Sequence, residues 1–261
     1  MVTSAQMTGL IMAIVLPLLA GAVLYYLFWK KSSKIETGMM GAAGYGILGY
    51  IWQEVIYSFL ALVLFANLPW LRNITGGAAL LFAAAEALVS GIFIALGLYW
   101  GIYLTNTKQR SLYRSATVGI GFGIGYSILS YGFDLYYAIQ INSGTYAGTE
   151  AAKAKILTMS SGMLYVSSYR NILMVIIFMG IAYAMGKYYL EKNYVQACAI
   201  PVVVYVFMRF TDVILNTYCP MAVARTVICV ILTAMSVGVE IVRKDSLTAG
   251  LSTCHRQAVF F

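Results

Sequence analysis

The sequence predicts an all-α integral membrane protein, a bundle of about seven transmembrane helices with the N-terminus outside and the C-terminus in the cytoplasm. Three observations carry this. First, 61% of the 261 residues are hydrophobic and only 10% are charged, against roughly 25% charged in a soluble domain. That leaves too little polar surface to cover a water-soluble globule. Second, the apolar residues gather into seven runs near the roughly 20 residues needed to cross the hydrocarbon. Third, the basic residues sit in short clusters between those runs and are concentrated on alternate connections, the positive-inside pattern. The net charge of +8 therefore speaks of topology. Nucleic-acid binding would need basic residues interleaved on one accessible face, and nucleic acid is not expected as a partner.

The first run, 7–29, is too long for a signal-peptide core, and no positive charge precedes it. It is expected to stay as an uncleaved first span. The next three runs, 38–65, 78–104 and 116–140, are long enough to tilt or to extend past the bilayer. The fifth, 170–187, is the shortest. The sixth, 195–217, contains Pro201, which would kink it or sit in its first turns. The seventh is 220–242. Residues 1–244 thus form one transmembrane bundle, and 245–261 a polar cytoplasmic tail, mobile or peripheral.

The charges orient this bundle. Lys30, Lys31 and Lys34 follow the first run, and Lys108, Arg110 and Arg114 the third. Lys187 and Lys192 follow the fifth, and Arg243, Lys244 and Arg256 lie beyond the seventh. The opposite connections carry only Arg72, Lys153, Lys155 and Arg170. The richer side is the cytoplasmic one, which places the chain in a cell (inner or plasma) membrane with the lipid bilayer as its first partner.

The longest outside connection is 141–169. Asn142, Ser143 and Gly144 signal a turn. Thr149 could cap a short helix with Glu150 in its first turn. The partly apolar stretch that follows is either an interfacial or re-entrant helix or an N-terminal extension of the fifth span. Many of the 21 tyrosines lie near span ends, among them Tyr25, Tyr26, Tyr136 and Tyr137, as interfacial anchors do. The four cysteines, at 198, 219, 229 and 254, form no CxxC pair, so neither a zinc ribbon nor a redox motif is present.

Ionisable residues inside spans are costly and usually functional. Six qualify: Glu54, Glu86, Asp134, Arg209, Asp212 and Arg225. At about 1.5 Å per residue, Glu54, Asp134, Arg209 and Asp212 lie roughly 20–26 Å from the cytoplasmic ends of their spans. Glu86 and Arg225 lie roughly 8–12 Å from the outer ends of theirs. All six are expected in the outer half of the core or at its boundary, as one polar cluster opening outward. Arg209 and Asp212, three apart, are close enough to pair. Arg225 could meet Asp212 or Glu86. The acids outnumber the arginines, so one carboxyl is a candidate to stay protonated. The competing explanation is that these groups only hold helices together. Asp134, beside Tyr136 and Tyr137, also reads as a plain interfacial residue.

The fourth run carries Gly119, Gly121, Gly123 and Gly125 at every second position. On a helix they form small-xxx-small pairs at 119/123 and 121/125, which allow close helix approach. Room for a substrate beside the helix is the alternative. A dinucleotide fingerprint is excluded because no strand precedes the glycines.

With these residues placed, the chain resembles the YhfC family of bacterial membrane proteins, whose suggested activity is intramembrane metallopeptidase. The likeness covers most of 7–242 and rests on segment order, on Leu81-Phe82-Ala83-Ala84-Ala85-Glu86-Ala87 in the third span and on Gly121-Phe122-Gly123-Ile124-Gly125 in the fourth. The resemblance implies an acidic pair and an arginine in the third span, but only Glu86 is acidic and neither Val89 nor Ser90 is arginine. It implies histidine and glutamate with the glycines, and neither is present. Asp212 could match a late aspartate, with Met208 where a histidine is implied. The one histidine, His255, lies in the tail, whereas a catalytic zinc commonly takes His ligands. The chain is therefore expected to lack metallopeptidase activity, metal and cofactor.

Two function classes follow. One is a non-catalytic relative of a membrane peptidase, holding another membrane protein or a peptide in the groove around Glu86 and Asp212. The other is a small carrier or transporter subunit whose intramembrane carboxyls bind a cation or amine.

Overall fold

The computed structural model describes residues 1–31, 38–68, 76–106, 111–218, 224, 226–236 and 238. The described residues are helical with short connections and include no strand. In chain order the helices are α1 (Ser4–Lys31), α2 (Met39–Asn67), α3 (Gly76–Asn106), α4 (Leu112–Ser143), α5 (Glu150–Thr158), α6 (Ser161–Leu190) and α7 (Tyr194–Tyr218). A shorter apolar helix, α8 (Thr226–Ser236), follows. Six of these, α1 to α4, α6 and α7, are long and apolar enough to cross a membrane. The rest of the expected run 220–242, Arg225 included, and the tail 245–261 lie outside the described residues, apart from Ala224 and Gly238.

The helix ends show how the polar residues extend the apolar runs. The fourth helix begins at the Ser111 cap, whose side chain accepts the Tyr113 N–H. It ends at Gly144, whose φ of 75° is the left-handed geometry glycine adopts without strain. Thr149 caps α5 by accepting the Ala152 N–H, and Glu150 opens its first turn. In the 141–169 connection α5 is a separate short helix, and α6 begins at Ser161 rather than at 170. The run of Ser160, Ser161, Ser167 and Ser168 hid that extension from an apolar count. A serine can return its hydroxyl to the preceding turn, as Ser168 does to the Leu164 carbonyl at 2.9 Å. The extension corrects the placement of Arg170, expected in an outside connection and found inside α6. Pro201 lies inside α7.

Successive long helices alternate in direction. Facing glycines show it for α2 and α3: a Cβ on Gly97 would lie 2.7 Å from the Gly49 carbonyl oxygen, and one on Gly101 3.3 Å from that of Tyr45. The fourth helix runs parallel to α2 and antiparallel to α6. Its glycines serve both neighbours. A Cβ on Gly119 or Gly123 would lie 2.7 Å from the Met179 Cα or 2.6 Å from the Val175 Cα, both on α6. One on Gly121 would lie 2.9 Å from the Ala43 Cα, and one on Gly125 3.0 Å from the Tyr50 Cβ, both on α2. Alternate positions point roughly 200° apart around a helix, so every second glycine turns to the opposite neighbour. The core beside them contains Phe122 and Phe178, ring centroids 5.0 Å apart, with Val118, Ile177 and Met185.

The first helix closes the other side of α4 and α6. Asn171 donates to the Ala13 carbonyl at 3.0 Å. The Val2 N–H donates to Asn142 Oδ1 at 2.8 Å, and Gln6 Nε2 donates to the Met159 carbonyl at 2.6 Å. The start of α1, the end of α4 and α5 therefore share one end of the bundle. Ile156 of α5 is buried there with Leu10, Ala138 and Leu164.

Candidate functional site

Four helices each turn one polar stripe inward. Tyr50, Glu54 and Tyr57 on α2 follow the spacing that keeps one helix face, with Gln53 beside them. Glu86, Ser90 and Ile94 do the same on α3, Tyr126 and Ser130 on α4, and Tyr205 and Arg209 on α7. Together these side chains line a cavity of about 250 Å³. A second cavity, of about 110 Å³, lies against it and shares Tyr126, Tyr205 and Arg209; it adds Arg170, Met208, Asp212 and Ile228.

Arg209 is the link between the two. Its Nη2 lies 3.3 Å from Glu86 Oε1, and its Nη1 3.5 Å from Asp212 Oδ2. Tyr57 donates its hydroxyl to the same Glu86 oxygen at 3.3 Å. Arg170 Nη2 stands 3.7 Å from Asp212 Oδ2. The tract thus runs Glu86, Arg209, Asp212, Arg170 with alternating charge, an arrangement that lowers the cost of placing each ion in an apolar setting.

Glu54 differs from these. The Tyr50 hydroxyl donates to its Oε2 at 3.3 Å, Gln53 Nε2 to the same oxygen at 3.3 Å, and the Ser58 hydroxyl to Oε1 at 3.5 Å. All three donors are neutral. Among the described residues, no Lys or Arg nitrogen lies within 4.0 Å of it. Gln53 is only 3% exposed, so its amide holds the carboxylate from inside the helix contact.

Of the six expected cluster residues, Glu54, Glu86, Arg209 and Asp212 are brought to the two joined cavities. Asp134 is placed elsewhere: Lys155 of α5 lies 3.1 Å from its Oδ1. Arg225 lies outside the described residues. Gly119, Gly121, Gly123 and Gly125 stand at helix contacts and line neither cavity. Sequence reasoning missed Arg170, assigned to an outside connection, and the four cavity tyrosines, Tyr50, Tyr57, Tyr126 and Tyr205. A usable signal was present. Each tyrosine stands three or four residues from a charged or hydroxyl residue on its own helix, as in Tyr50/Glu54 and Tyr205/Arg209.

Six membrane-length helices around a charged, tyrosine-lined interior define the class: a multi-pass α-helical membrane protein. No known family's sequence profile matches the chain, and no curated protein or solved structure matches it either. The donors among the described residues do not fit the zinc that a YhfC resemblance would imply. Among the described residues, no three His, Cys, Asp or Glu side chains gather as a metal site.

Proposed function

We propose that this chain is a seven-span carrier of a bacterial cell membrane, with the N-terminus outside, that binds a cation at Glu54. The observation carrying the function is the cavity itself. Among the described residues, the hydrogen-bond partners of Glu54 at its wall are all neutral, while the neighbouring carboxylate Glu86 is already held by Arg209. A carboxylate so placed in a membrane span offers a docking point for a cation.

The alternating helix directions and the basic loops support the topology. The α8 segment supports a seventh span: Ile228 stands with Arg170 and Met208, and Met235 with Ala184 near the end of α6 and Ile200 near the start of α7. In a background lacking the four natural cysteines, a cysteine at Ala147 should react with an impermeant thiol reagent from outside, and one at Lys192 only from inside. The reverse pattern would overturn the orientation.

The function is tested by thermal unfolding and vesicle uptake across protons, alkali, alkaline-earth and organic cations. At least one should stabilise the wild-type protein, and Glu54→Gln should remove that response. If no cation stabilises the wild type, the proposal fails.

A second function draws on the smaller cavity, where the Arg170–Asp212 pair is framed by Met174, Met208 and Ile228. There a non-catalytic YhfC-like protein would hold a membrane partner or peptide. Stoichiometric zinc in the purified protein would overturn its non-catalytic part.

A further inference from the structure

Resting on the cation-binding proposal above, we infer that the Glu54 cavity takes a small organic ammonium ion, an amine carrying an apolar or aromatic group, and not a bare metal cation.

Charge, size and lining each point that way. Among the described residues, the charged ones on the cavity wall are Glu54, Glu86 and Arg209. With all three ionised, the wall carries one net negative charge. One monovalent cation neutralises it, and a divalent ion overshoots. Calcium would also need about 6–8 oxygen ligands, yet Glu86 is already engaged by Arg209 and Tyr57.

The volume of about 250 Å³ falls just below the roughly 300–1,000 Å³ of pockets for drug-sized ligands. It is far larger than a dehydrated metal ion requires. A bare ion would leave the remainder to ordered water against aromatic rings.

The lining matches an ammonium with a hydrophobic body. Tyr50, Tyr57, Tyr126 and Tyr205 supply ring surface and Ile94 an aliphatic one. Aromatic rings attract organic cations through their quadrupole. The Ser90 and Ser130 hydroxyls and the Glu54 carboxylate can accept the N–H donors of an ammonium group. Arg209 on the same wall disfavours a second cation, so one ligand binds at a time.

The test uses the full-length protein in lipid nanodiscs at fixed ionic strength, titrated with phenethylammonium, its neutral counterpart 2-phenylethanol, potassium chloride and calcium chloride. Phenethylammonium should raise the unfolding temperature and the other three should not. Glu54→Gln should weaken phenethylammonium binding by at least about tenfold, the scale of one lost charged hydrogen bond. Tyr57→Leu should weaken it severalfold while preserving the charge. If Glu54→Gln does not fold, Glu54→Asp serves, since it withdraws the charge by one methylene: weaker binding supports the site, and unchanged affinity overturns it. Stabilisation by potassium or calcium alone, lost in Glu54→Gln, would overturn the ammonium assignment and leave the cation proposal standing. No response to any cation would overturn both. Equal binding of 2-phenylethanol would mean that the cavity selects shape and not charge, and would overturn the inference.

Discussion

Glu86 and Arg209, 123 positions apart in the chain, meet with Oε1 and Nη2 3.3 Å apart. The contact ties α3 to α7 at the point where the two cavities join. The same guanidinium reaches Asp212 at 3.5 Å, so Arg209 satisfies two carboxylates from one position.

Removing either partner should therefore cost more than removing both. Arg209→Met leaves Glu86 without its cation, and Glu86→Gln leaves Arg209 with Asp212 alone. A double-mutant cycle by chemical unfolding in detergent should give a coupling of about 0.5–3 kcal/mol. Additive single-mutant effects would show that the two side chains do not depend on each other.

The glycine contacts predict a sharp positional contrast. Gly119→Val or Gly121→Val drives a side chain into the backbone of α6 or α2, and overpacking of this kind costs about 1–3 kcal/mol or more. Gly44→Ala, on α2 with nothing within 4 Å of its Cβ, should leave the protein intact. Size-exclusion profiles of the three variants check this. A monodisperse Gly121→Val protein of wild-type stability would contradict the close helix approach.

The Lys155–Asp134 pair should matter little. Lys155 is 63% exposed in its side chain and Asp134 13%, and exposed ion pairs contribute about 0–1 kcal/mol. Lys155→Ala should shift the unfolding temperature only slightly, and the small effect should shrink further in high salt.

Asn142 is expected to hold the start of α1. Its side chain accepts from the Val2 N–H at 2.8 Å and donates to the Val2 carbonyl at 3.3 Å. Asn142→Ala should cost about 0.5–1.5 kcal/mol per lost bond. Hydrogen exchange should quicken at the beginning of α1 and not at its far end near Phe28. Uniform acceleration along α1 would point to a global loss of packing instead.

The helices and their alternation were legible because apolar run length and basic loops report directly on a membrane crossing. Their ends were not. Serine and glycine carry little hydropathy signal, so the Ser161 start of α6 stayed hidden, and Arg170 was misplaced with it. Of the six residues singled out by the cost of charge in an apolar span, four reach the two cavities. Asp134 carries the same signature, yet it is met by Lys155 from α5, a partner 21 positions away that no helix-local rule reveals. The tyrosines were obscured by their own abundance. Anchoring explains most tyrosines near an interface, and only their spacing from Glu54 and Arg209 separates the cavity set from the rest.

The alternating glycines of α4 also fix the length of the chain at that point. Deleting a single residue between Gly119 and Gly125 would turn everything after it by about 100°. Tyr126 and Ser130 would leave the cavity wall together, and bulkier residues would face α2 and α6. The stretch 145–149 carries no such constraint, because it joins two helices at one end of the bundle. Insertions and fusions should therefore be accepted at the tip of that connection and rejected within the fourth helix, which makes α4 the gauge against which the rest of the molecule is set.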